Sequence, residues 1–247
     1  MSMNIEILPI RTRIVRPPKD DIWDIIEQLE VKECDLVFIT SKIVGIHQGR
    51  TRKVGEIDKL DLIREESERM LSYNNEAGGF NVNLTIAHGV LIPAAGIDES
   101  NADQHYILWP ERIDEFCQEV RQYLKKKFNI EDLGVIVTDS HTTPLRWGVT
   151  GISIGLAGVK PLRDLRNTND LFGRKLKLTQ VDMIDPLASM AVKVMGEASE
   201  CTPIVIMRGD TDIVFDEKAS MKDFKIESDL DLYRPLLDVM PKTENRA

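Results

Sequence analysis

Three groups of oxygen-bearing side chains lie where a carboxylate could face a cleft. Asp98 follows the small-residue stretch Ala94–Gly96, which allows close approach of another backbone segment. Asp139 and Ser140 end an apolar run, and Glu197 follows a segment with helical spacing. Carboxylate and hydroxyl oxygens suit magnesium or manganese, which hold nucleotide phosphates, so the set indicates a phosphoryl-transfer site. On the alternative interpretation, Asp98 and Asp139 are turn or capping residues and Glu197 is solvated.

Weaker signals for the same chemistry come from basic residues and from a glycine-rich stretch. Ser41 and Lys42 follow an apolar run and could contact a phosphate, although a lysine after a strand is more often only solvated. Arg146 and Arg208 lie near the acidic positions and could bind a substrate carboxylate or phosphate, or form structural ion pairs. The stretch 151–158 fits neither phosphate-loop motif, and close strand packing is the better interpretation.

The composition disfavours several classes of partner. In 247 residues, 41 acidic side chains outnumber 32 basic ones, and a net charge of −9 repels a nucleic-acid backbone. The sequence has no 18-residue apolar run and no signal-peptide core, which disfavours a membrane span and secretion. The three cysteines lack metal-binding spacing, and we predict reduced, mostly buried thiols in a cytoplasmic protein.

Hydrophobic patterning predicts the elements that must position these residues. Short apolar runs predict strands at 5–8, 34–40, 135–137, 152–157 and 203–207, and a pair of strands within 82–92 around a turn at His88-Gly89. Helical spacing predicts helices at 22–29, about 61–73, about 110–128 and 185–194.

The irregular mixture of strands and helices favours an α+β fold with mixed or antiparallel sheets over a doubly wound sheet. We expect residues 1–247 to form a single unit, possible internal boundaries being near 74–79 or 129. After Phe215 the chain becomes charged and is expected to wrap the surface as helix and tail.

Linked segments across nearly the whole chain resemble the coenzyme F-420-0:L-glutamate ligase family. The segments are ITSK (39–42), AAGIDESN (94–101), VIVTDS (135–140), PLRWG (144–148), GLAGVKPLRD (155–164), DLFGRKL (170–176) and MGEASECTPIVIMRG (195–209). The resemblance implies a ligase that adds L-glutamate to a carboxylate of a deazaflavin coenzyme precursor at the expense of GTP. It also implies an intertwined α+β homodimer with small-molecule substrates only.

The resemblance also implies the residues of the site. The metal ligands fall on Asp98, Asp139, Ser140 and Glu197. They would bind two ions of Mg²⁺ or Mn²⁺, and K⁺ is a further candidate ion. The positions that contact GTP, or ATP in its place, fall on Ser41, Lys42, Asn101, Met195, Gly196, Glu197, Ala198, Ser199, Glu200, Cys201 and Thr202, with weaker matches at 13–16. Asp98, Asp139 and Arg146 are the predicted catalytic residues, and Asp185 matches the acidic start of a family helix.

Two departures from the family pattern affect the acceptor more than the reaction. The family usually has Thr-Asp-Thr-x-Gly-Arg with a further Arg downstream. This chain instead reads Thr138-Asp139-Ser140-His141-Thr142-Thr143 before Pro144-Leu145-Arg146, so the Gly-Arg pair is missing. It also has Gly45-Ile46 where relatives have Ser-Lys. Each lost cation should weaken binding of a phosphate-bearing partner by about 1–3 kcal/mol. The coenzyme precursor carries such a phosphodiester, so the acceptor stays open.

Chemistry at a carboxylate supports the ligase hypothesis. A carboxylate does not condense with an amine at neutral pH, and its conversion to an acyl phosphate supplies both an electrophilic carbon and a leaving group. The leading hypothesis is therefore glutamate ligation to the F-420 precursor, and a folate-type acceptor is the alternative with the same chemistry. A non-catalytic nucleotide-binding protein and a metal-dependent phosphohydrolase are the competing hypotheses of other classes.

Overall fold

The computed structural model describes residues 4–75, 80–209 and 211–243, with only the backbone described for 73–75 and 80–82. The strands are Ile5–Ile10 (β1), Asp35–Thr40 (β2), Thr51–Lys53 (β3), Arg69–Asn75 (β4), Phe80–Ala87 (β5), Val90–Pro93 (β6), His105–Ile107 (β7), Leu133–Thr142 (β8), Val149–Ala157 (β9), Leu162–Asp164 (β10), Gln180–Asp182 (β11) and Ile204–Gly209 (β12). The α-helices are Trp23–Ile26 (α1), Ser41–Gln48 (α2), Lys59–Glu66 (α3), Ile113–Phe128 (α4), Asp185–Met195 (α5) and Arg234–Leu237 (α6).

A five-stranded sheet in the order β1-β12-β2-β8-β9 forms the centre of the fold. The β2–β8 pair is parallel and the other pairs are antiparallel. Val37 and Ile39 of β2 pack into the core that includes α4, while Leu36 and Phe38 face the core that includes α5. Burial on both faces explains why β2 is a continuous apolar run rather than an alternating one. The predicted α+β class with mixed and antiparallel sheets is confirmed.

The glycines of β9 let helices pack against both faces of that strand. A Cβ at Gly155 would lie 2.2 Å from Cγ2 of Ile113 in α4. A Cβ at Gly151 would lie 2.6 Å from the carbonyl oxygen of Ala188 in α5. Since real Cβ atoms do not approach this closely, the prediction that this stretch serves close packing is confirmed.

The segment after α3 differs from the prediction. The polar helix predicted over about 61–73 begins at Lys59 but ends at Glu66, and the chain continues as β4, which pairs with β5. Tertiary pairing of a strand therefore overrides the local helical pattern. The turn predicted at His88-Gly89 is confirmed, and both residues have positive φ values, 52° and 74°, as a two-residue hairpin turn requires.

Two further expectations from the sequence differ from the structure. The helix predicted at 22–29 is regular only over Trp23–Ile26, although Ile22 and Leu29 are buried as its spacing predicts. Of the three cysteines only Cys117 is buried, so the prediction of mostly buried thiols is wrong. Cys34 is exposed because it lies in the turn that precedes β2.

The remaining elements surround the central sheet. Three smaller sheets are formed by β3 with β7, by β4, β5 and β6, and by β10 with β11. Within the described part of the chain no helix has the length and apolarity to cross a membrane. Of the predicted boundaries, residues 76–79 lie outside the described residues, and Asn129 ends α4 just before β8. The single-unit organisation stays a prediction.

Candidate active site

A cavity of about 500 Å³ opens at the carboxyl ends of the parallel strands β2 and β8. Thr40 lies opposite Thr138 in this pair, so the residues that follow each strand emerge side by side. All the sequence-predicted metal and nucleotide positions line this cavity: Ser41, Lys42, Asp98, Asn101, Asp139, Ser140, Met195, Gly196, Glu197, Ala198, Ser199, Glu200, Cys201 and Thr202. Residues as far apart in the sequence as Ser41 and Thr202 thus share one site.

The first turn of α2 supplies the phosphate-binding features of the cavity. Thr40 precedes this helix in an extended conformation, and its side chain makes no capping hydrogen bond to the helix N-terminus. The amide groups of a first turn have no partner within the helix and carry a partial positive charge, which favours phosphate. Ser41 and Lys42 are the first two residues of α2. The arrangement can therefore present amides, a hydroxyl and an ammonium to one anion.

Asp98 is held against Lys42 at the edge of the cavity. Lys42 Nζ lies 2.5 Å from Asp98 Oδ2 and donates to the Ser100 carbonyl at 3.0 Å. Asp98 Oδ1 accepts the Ser100 amide at 2.7 Å. Burial disfavours the charged form, but the attraction and hydrogen bonds of Lys42 and Ser100 hold the pKa of Asp98 below its ordinary value. Asp98 is therefore a carboxylate at neutral pH.

Asp139 receives hydrogen bonds but no neutralising cation. Its Oδ2 accepts the indole N–H of Trp109, and its Oδ1 accepts the Ser140 amide at 2.8 Å. Removal from solvent raises the pKa of Asp139 to about 7, and the charge of Asp98 adds to this effect. Within the described residues Asp139 makes no ion pair, so its ionised form is destabilised until a cation approaches.

Glu197, which also lines the cavity, likewise has a raised pKa. Burial raises its pKa above the ordinary value, with the charges of Asp98 and Glu200 adding to the effect and Lys42 opposing it. The cavity lining as a whole has more acidic than basic side chains, with Arg13, Arg16 and Lys42 against Asp98, Asp103, Asp139, Glu197 and Glu200. A nucleoside triphosphate would add further negative charge, so its binding here calls for additional cations.

The chemistry of the donors fits magnesium or manganese. Carboxylate and hydroxyl oxygens are the ligands of these hard ions, which commonly take one or two carboxylates and complete their shell with phosphate oxygens and water. The carboxylates of Asp98, Asp139 and Glu197 do not form a set within 4.8 Å of one another, as would suit a single shared ion. The donor set therefore fits cations that each use fewer protein ligands and a bound phosphate.

The loop after α5 forms the wall beside Glu197. Gly196 has φ of 81°, and a Cβ there would lie 2.3 Å from Cδ of Glu200. Thr202 Oγ1 donates to the Met195 carbonyl at 2.6 Å. Asn101 Nδ2, distant in the sequence, donates to the Ala198 carbonyl at 2.7 Å. The loop therefore has a defined shape and depends on a glycine at 196.

The two arginines singled out in the sequence do not line the cavity. Arg146 lies in the exposed loop between β8 and β9, where its guanidinium donates to the Leu145 carbonyl at 3.1 Å. It is carried outward because β8 continues to Thr142 instead of ending near Ser140. Arg208 binds Asp35 through two hydrogen bonds of 2.9 and 2.7 Å, which is the structural ion pair considered as its alternative role.

Sequence reasoning missed two contributors to the cavity. Trp109 is 2 % exposed and supplies the side-chain donor to Asp139. Asp103 contributes a further acidic side chain to the lining. Neither residue belongs to a motif, since a lone tryptophan in an apolar run is typical of a core position. Buried Trp N–H groups do need a hydrogen-bond partner, and this was the one available signal.

Comparison with known proteins identifies the family. The family model described as F420-0:Gamma-glutamyl ligase matches residues 9–209. The chain is 34% identical over 227 residues to the coenzyme F420:L-glutamate ligase of Methanopyrus kandleri, covering 84% of this chain and 87% of that protein.

Two further proteins of the same name give similar values. The protein from Methanocaldococcus jannaschii is 32% identical over 76% of this chain and 81% of its own length. The protein from Methanothermobacter thermautotrophicus is 35% identical over 71% of this chain and 75% of its own length. The resemblance inferred from the sequence motifs is confirmed, and the chain belongs to the F420-0:gamma-glutamyl ligase family.

Proposed function

We propose that this protein is a nucleotide- and divalent-cation-dependent ligase that adds L-glutamate to an acid acceptor, the coenzyme F-420 precursor. The proposal is supported mainly by one observation: all the residues predicted to bind metal or nucleotide line the same cavity. The names of the relatives support glutamate ligation and this acceptor. A folate-type acid is the alternative acceptor with the same bond-forming chemistry.

The proposed reaction has two steps, phosphorylation of the acceptor and amide formation. An oxygen of the acceptor carboxylate attacks the γ-phosphorus, the bond to the β-phosphate oxygen breaks, and nucleoside diphosphate leaves. The amine of glutamate then attacks the acyl carbon, inorganic phosphate leaves, and the nitrogen loses a proton to give the amide. Such transfers depend mainly on positioning and electrostatic stabilisation, so the proposal includes no protein nucleophile.

The residues divide these tasks according to their places in the cavity. Ser41, Lys42 and the amides of the first turn of α2 bind the phosphates, and the loop from Met195 to Thr202 contacts the nucleoside. Asp98, Asp139, Ser140 and Glu197 would hold Mg²⁺ or Mn²⁺. When bound, these cations neutralise charge on the phosphate oxygens and on the carboxylates.

Isotope transfer tests the activated intermediate. Purified protein is incubated with acceptor carrying ¹⁸O in its carboxylate, labelled glutamate, nucleotide and Mn²⁺. We expect one ¹⁸O in the phosphate released per amide formed, because the acceptor oxygen leaves with phosphorus. Amide formation without ¹⁸O in phosphate would contradict the acyl phosphate.

The same assay separates the alternatives. Parallel reactions with the F-420 precursor and with a folate-type acid identify the acceptor, and parallel reactions with GTP and ATP identify the nucleotide. Phosphate release that does not require glutamate would support a phosphohydrolase instead. Nucleotide binding with no incorporation into either acceptor would support a non-catalytic protein.

A homodimer is part of the proposal, and two projecting loops support it. Leu145 and Trp147 in the β8–β9 loop are 96% and 100% exposed, and Leu171 and Phe172 in the β10–β11 loop are 98% and 94% exposed. Large apolar side chains clustered so fully in solvent are characteristic of association surfaces. Arg146 lies on one of these loops, so it would act in catalysis only where a second copy brings it to a cavity.

Light scattering after size-exclusion chromatography tests the dimer. The wild-type chain of 28.1 kDa is expected at twice that mass. A Trp147→Asp/Phe172→Asp double variant is expected to elute as monomer with an unchanged circular dichroism spectrum. A wild-type monomer at micromolar concentration would contradict this part of the proposal.

A further inference from the structure

Trp109 lines the candidate active site but is none of the predicted catalytic, metal or nucleotide residues. Its side chain is buried, and its indole N–H donates to Oδ2 of Asp139. The other oxygen of that carboxylate, Oδ1, accepts the Ser140 amide at 2.8 Å. Because an ionised carboxylate offers about four lone-pair sites, these two bonds orient Asp139 and still leave room for a cation.

Two neighbours hold the indole ring in place. The imidazole of His88 stacks on it, with ring centroids 5.4 Å apart and planes inclined by 29°. Gly96 lies against the indole nitrogen, and a Cβ at this position would overlap that atom. Gly96 also has a positive φ of 69°, which favours glycine. The ring therefore has little freedom to turn its N–H away from Asp139.

The backbone around Trp109 is attached to the chain at the end of α2. The Leu108 amide donates to the Arg50 carbonyl at 2.9 Å, and Arg50 Nε donates to the Trp109 carbonyl at 3.1 Å. The Gln48 side chain makes two hydrogen bonds with the backbone of Glu111, at 2.9 and 2.8 Å. These bonds fix the segment 108–111 on both sides of the indole.

Gly45 lets this segment approach α2 closely. A Cβ at Gly45 would lie 2.7 Å from the carbonyl oxygen of Leu108. The same helix begins with Ser41 and Lys42, the proposed phosphate contacts. One helix therefore carries phosphate contacts at its N-terminus and holds, near its C-terminus, the segment whose indole binds Asp139.

We propose that Trp109 is a positioning residue that orients the carboxylate of Asp139 toward a divalent cation. This rests on the proposed function, in which Asp139 is one of the residues that would hold Mg²⁺ or Mn²⁺. Loss of a hydrogen-bond donor to a metal-binding side chain typically weakens metal affinity by about 10- to 100-fold. An indole N–H is a donor only and cannot ligate a cation, so Trp109 acts through Asp139.

A side chain of nearly the same shape without the N–H tests the proposal in the full-length protein. The analogue protein carries 3-benzothienylalanine, in which sulfur replaces the indole N–H, in place of Trp109. With nucleotide present, its Kd for Mn²⁺, measured by electron paramagnetic resonance, should rise about 10- to 100-fold over that of the wild type. Its unfolding midpoint and its metal-free affinity for nucleotide should not change, because the ring packing is kept.

Trp109→Phe and Trp23→Phe are a matched pair of variants. Both remove an indole N–H and the same ring atoms, but Trp23 packs edge-on against Tyr123 and does not line the cavity. Trp109→Phe should weaken Mn²⁺ binding as the analogue does, and Trp23→Phe should leave it unchanged. Equal Mn²⁺ affinities of these two variants would overturn the proposal. If Trp109→Phe does not fold, the analogue protein decides.

Turnover at increasing Mn²⁺ separates a positioning role from general damage to the site. A positioning role predicts that the analogue protein needs more Mn²⁺ for half-maximal activity but reaches the wild-type kcat when Mn²⁺ saturates. A lowered kcat that excess Mn²⁺ does not restore, together with weaker metal-free nucleotide binding, would show a general distortion of the cavity and overturn the proposal.

Mn²⁺ binding without turnover distinguishes failure of this proposal from failure of the proposed function. Weaker Mn²⁺ binding by the analogue protein supports the positioning role even if the wild type forms no amide with either acceptor. Equal Mn²⁺ binding by the analogue and wild-type proteins would remove Trp109 from this role and leave the ligase proposal intact. A wild type that binds Mn²⁺ with neither GTP nor ATP would contradict the proposed cation dependence and the positioning role together.

Discussion

The two ends of the parallel pair β2 and β8 both carry acidic residues but treat their charge differently. At the amino end, Asp35 is fully buried and is bound by Arg208 at 2.9 and 2.7 Å. Glu33 beside it accepts the backbone amides of Glu131 and Asp132. The protein therefore satisfies these carboxylates itself.

At the carboxyl end Lys42 pairs with Asp98, whereas Asp139 and Glu197 make no ion pair within the described residues. Asp139 receives hydrogen bonds from an indole and a backbone amide, and burial raises its pKa to about 7. Glu197 also has a raised pKa because of burial. Groups with strongly perturbed pKa values in a cavity are characteristic of functional sites. Both ends of the strands contain acidic residues, but the candidate active site differs from the structural cluster because some of its buried carboxylates have no cation beside them within the described residues.

Asp139→Asn gives the largest expected effect. Turnover should fall by about 10³-fold or more, because a carboxylate that binds cations and faces the phosphates is lost. The metal-free protein should be no less stable, since the variant removes a destabilised charge. Activity is measured as labelled glutamate incorporated, and stability by denaturant unfolding. Retained turnover would remove Asp139 from the site.

Asp35→Asn should show the reverse pattern. Breaking a buried, doubly hydrogen-bonded ion pair leaves Arg208 without its partner and should lower the free energy of unfolding by about 3–5 kcal/mol. Turnover per folded molecule should stay within about twofold, because the residue lies at the opposite end of the strand. Denaturant unfolding and an active-site titration with nucleotide measure the two quantities. A stable but inactive Asp35→Asn variant would contradict the view that the amino end is structural and the carboxyl end functional.

The strands of the central five-stranded sheet could be predicted more completely than the rest of the fold. The runs at 34–40 and 203–207 are apolar because both faces of the central sheet are covered, and His88-Gly89 is a strong hairpin signal. The chain beyond Glu66 was mistaken for helix because its local pattern does not reveal the pairing of β4 with β5. Such pairing depends on residues distant in sequence.

The candidate site could be predicted mainly through the family motifs. Asp98, Asp139 and Glu197 lie in three separate segments, and no spacing rule states that these segments meet. Arg146 was expected beside Asp139 because they are close in sequence, but the extension of β8 separates them. Trp109 was missed because its role follows from burial and a hydrogen-bond partner, which only coordinates reveal.

The pH dependence of stability sharpens the comparison through Asp139. The folded-state pKa of about 7 exceeds the ordinary aspartate pKa of 3.8, so between these pH values the folded protein keeps a proton that the unfolded chain releases. Stability of the metal-free wild type should therefore decline as pH rises from about 4 to 7, by up to a few kcal/mol. The Asp139→Asn variant should lack this component. Equal slopes of unfolding free energy against pH for the wild type and Asp139→Asn would contradict this prediction.

Gly196→Ala gives the smallest expected effect. A methyl group would meet the Glu200 side chain, and φ of 81° is unfavourable for alanine. Distortion of the loop should weaken nucleotide binding by about tenfold while the unfolding midpoint changes little, because the loop lies outside the core. Gly173→Ala, also at positive φ but with open space around it, is the matched control. Isothermal titration measures the nucleotide affinity of the two variants. Equal affinities of Gly196→Ala and Gly173→Ala would show that the loop does not bind the nucleotide.

Binding of Mn²⁺ in the presence of nucleotide tests the central claim most directly. Electron paramagnetic resonance counts free Mn²⁺ during titration of the wild type, Asp139→Asn and Asp35→Asn. We predict tight, nucleotide-dependent binding to the wild type, marked loss in Asp139→Asn and no change in Asp35→Asn under conditions where it is folded. Equal binding by the wild type and Asp139→Asn, or loss only in Asp35→Asn, would contradict the assignment of the cation site to the carboxyl end of the strands.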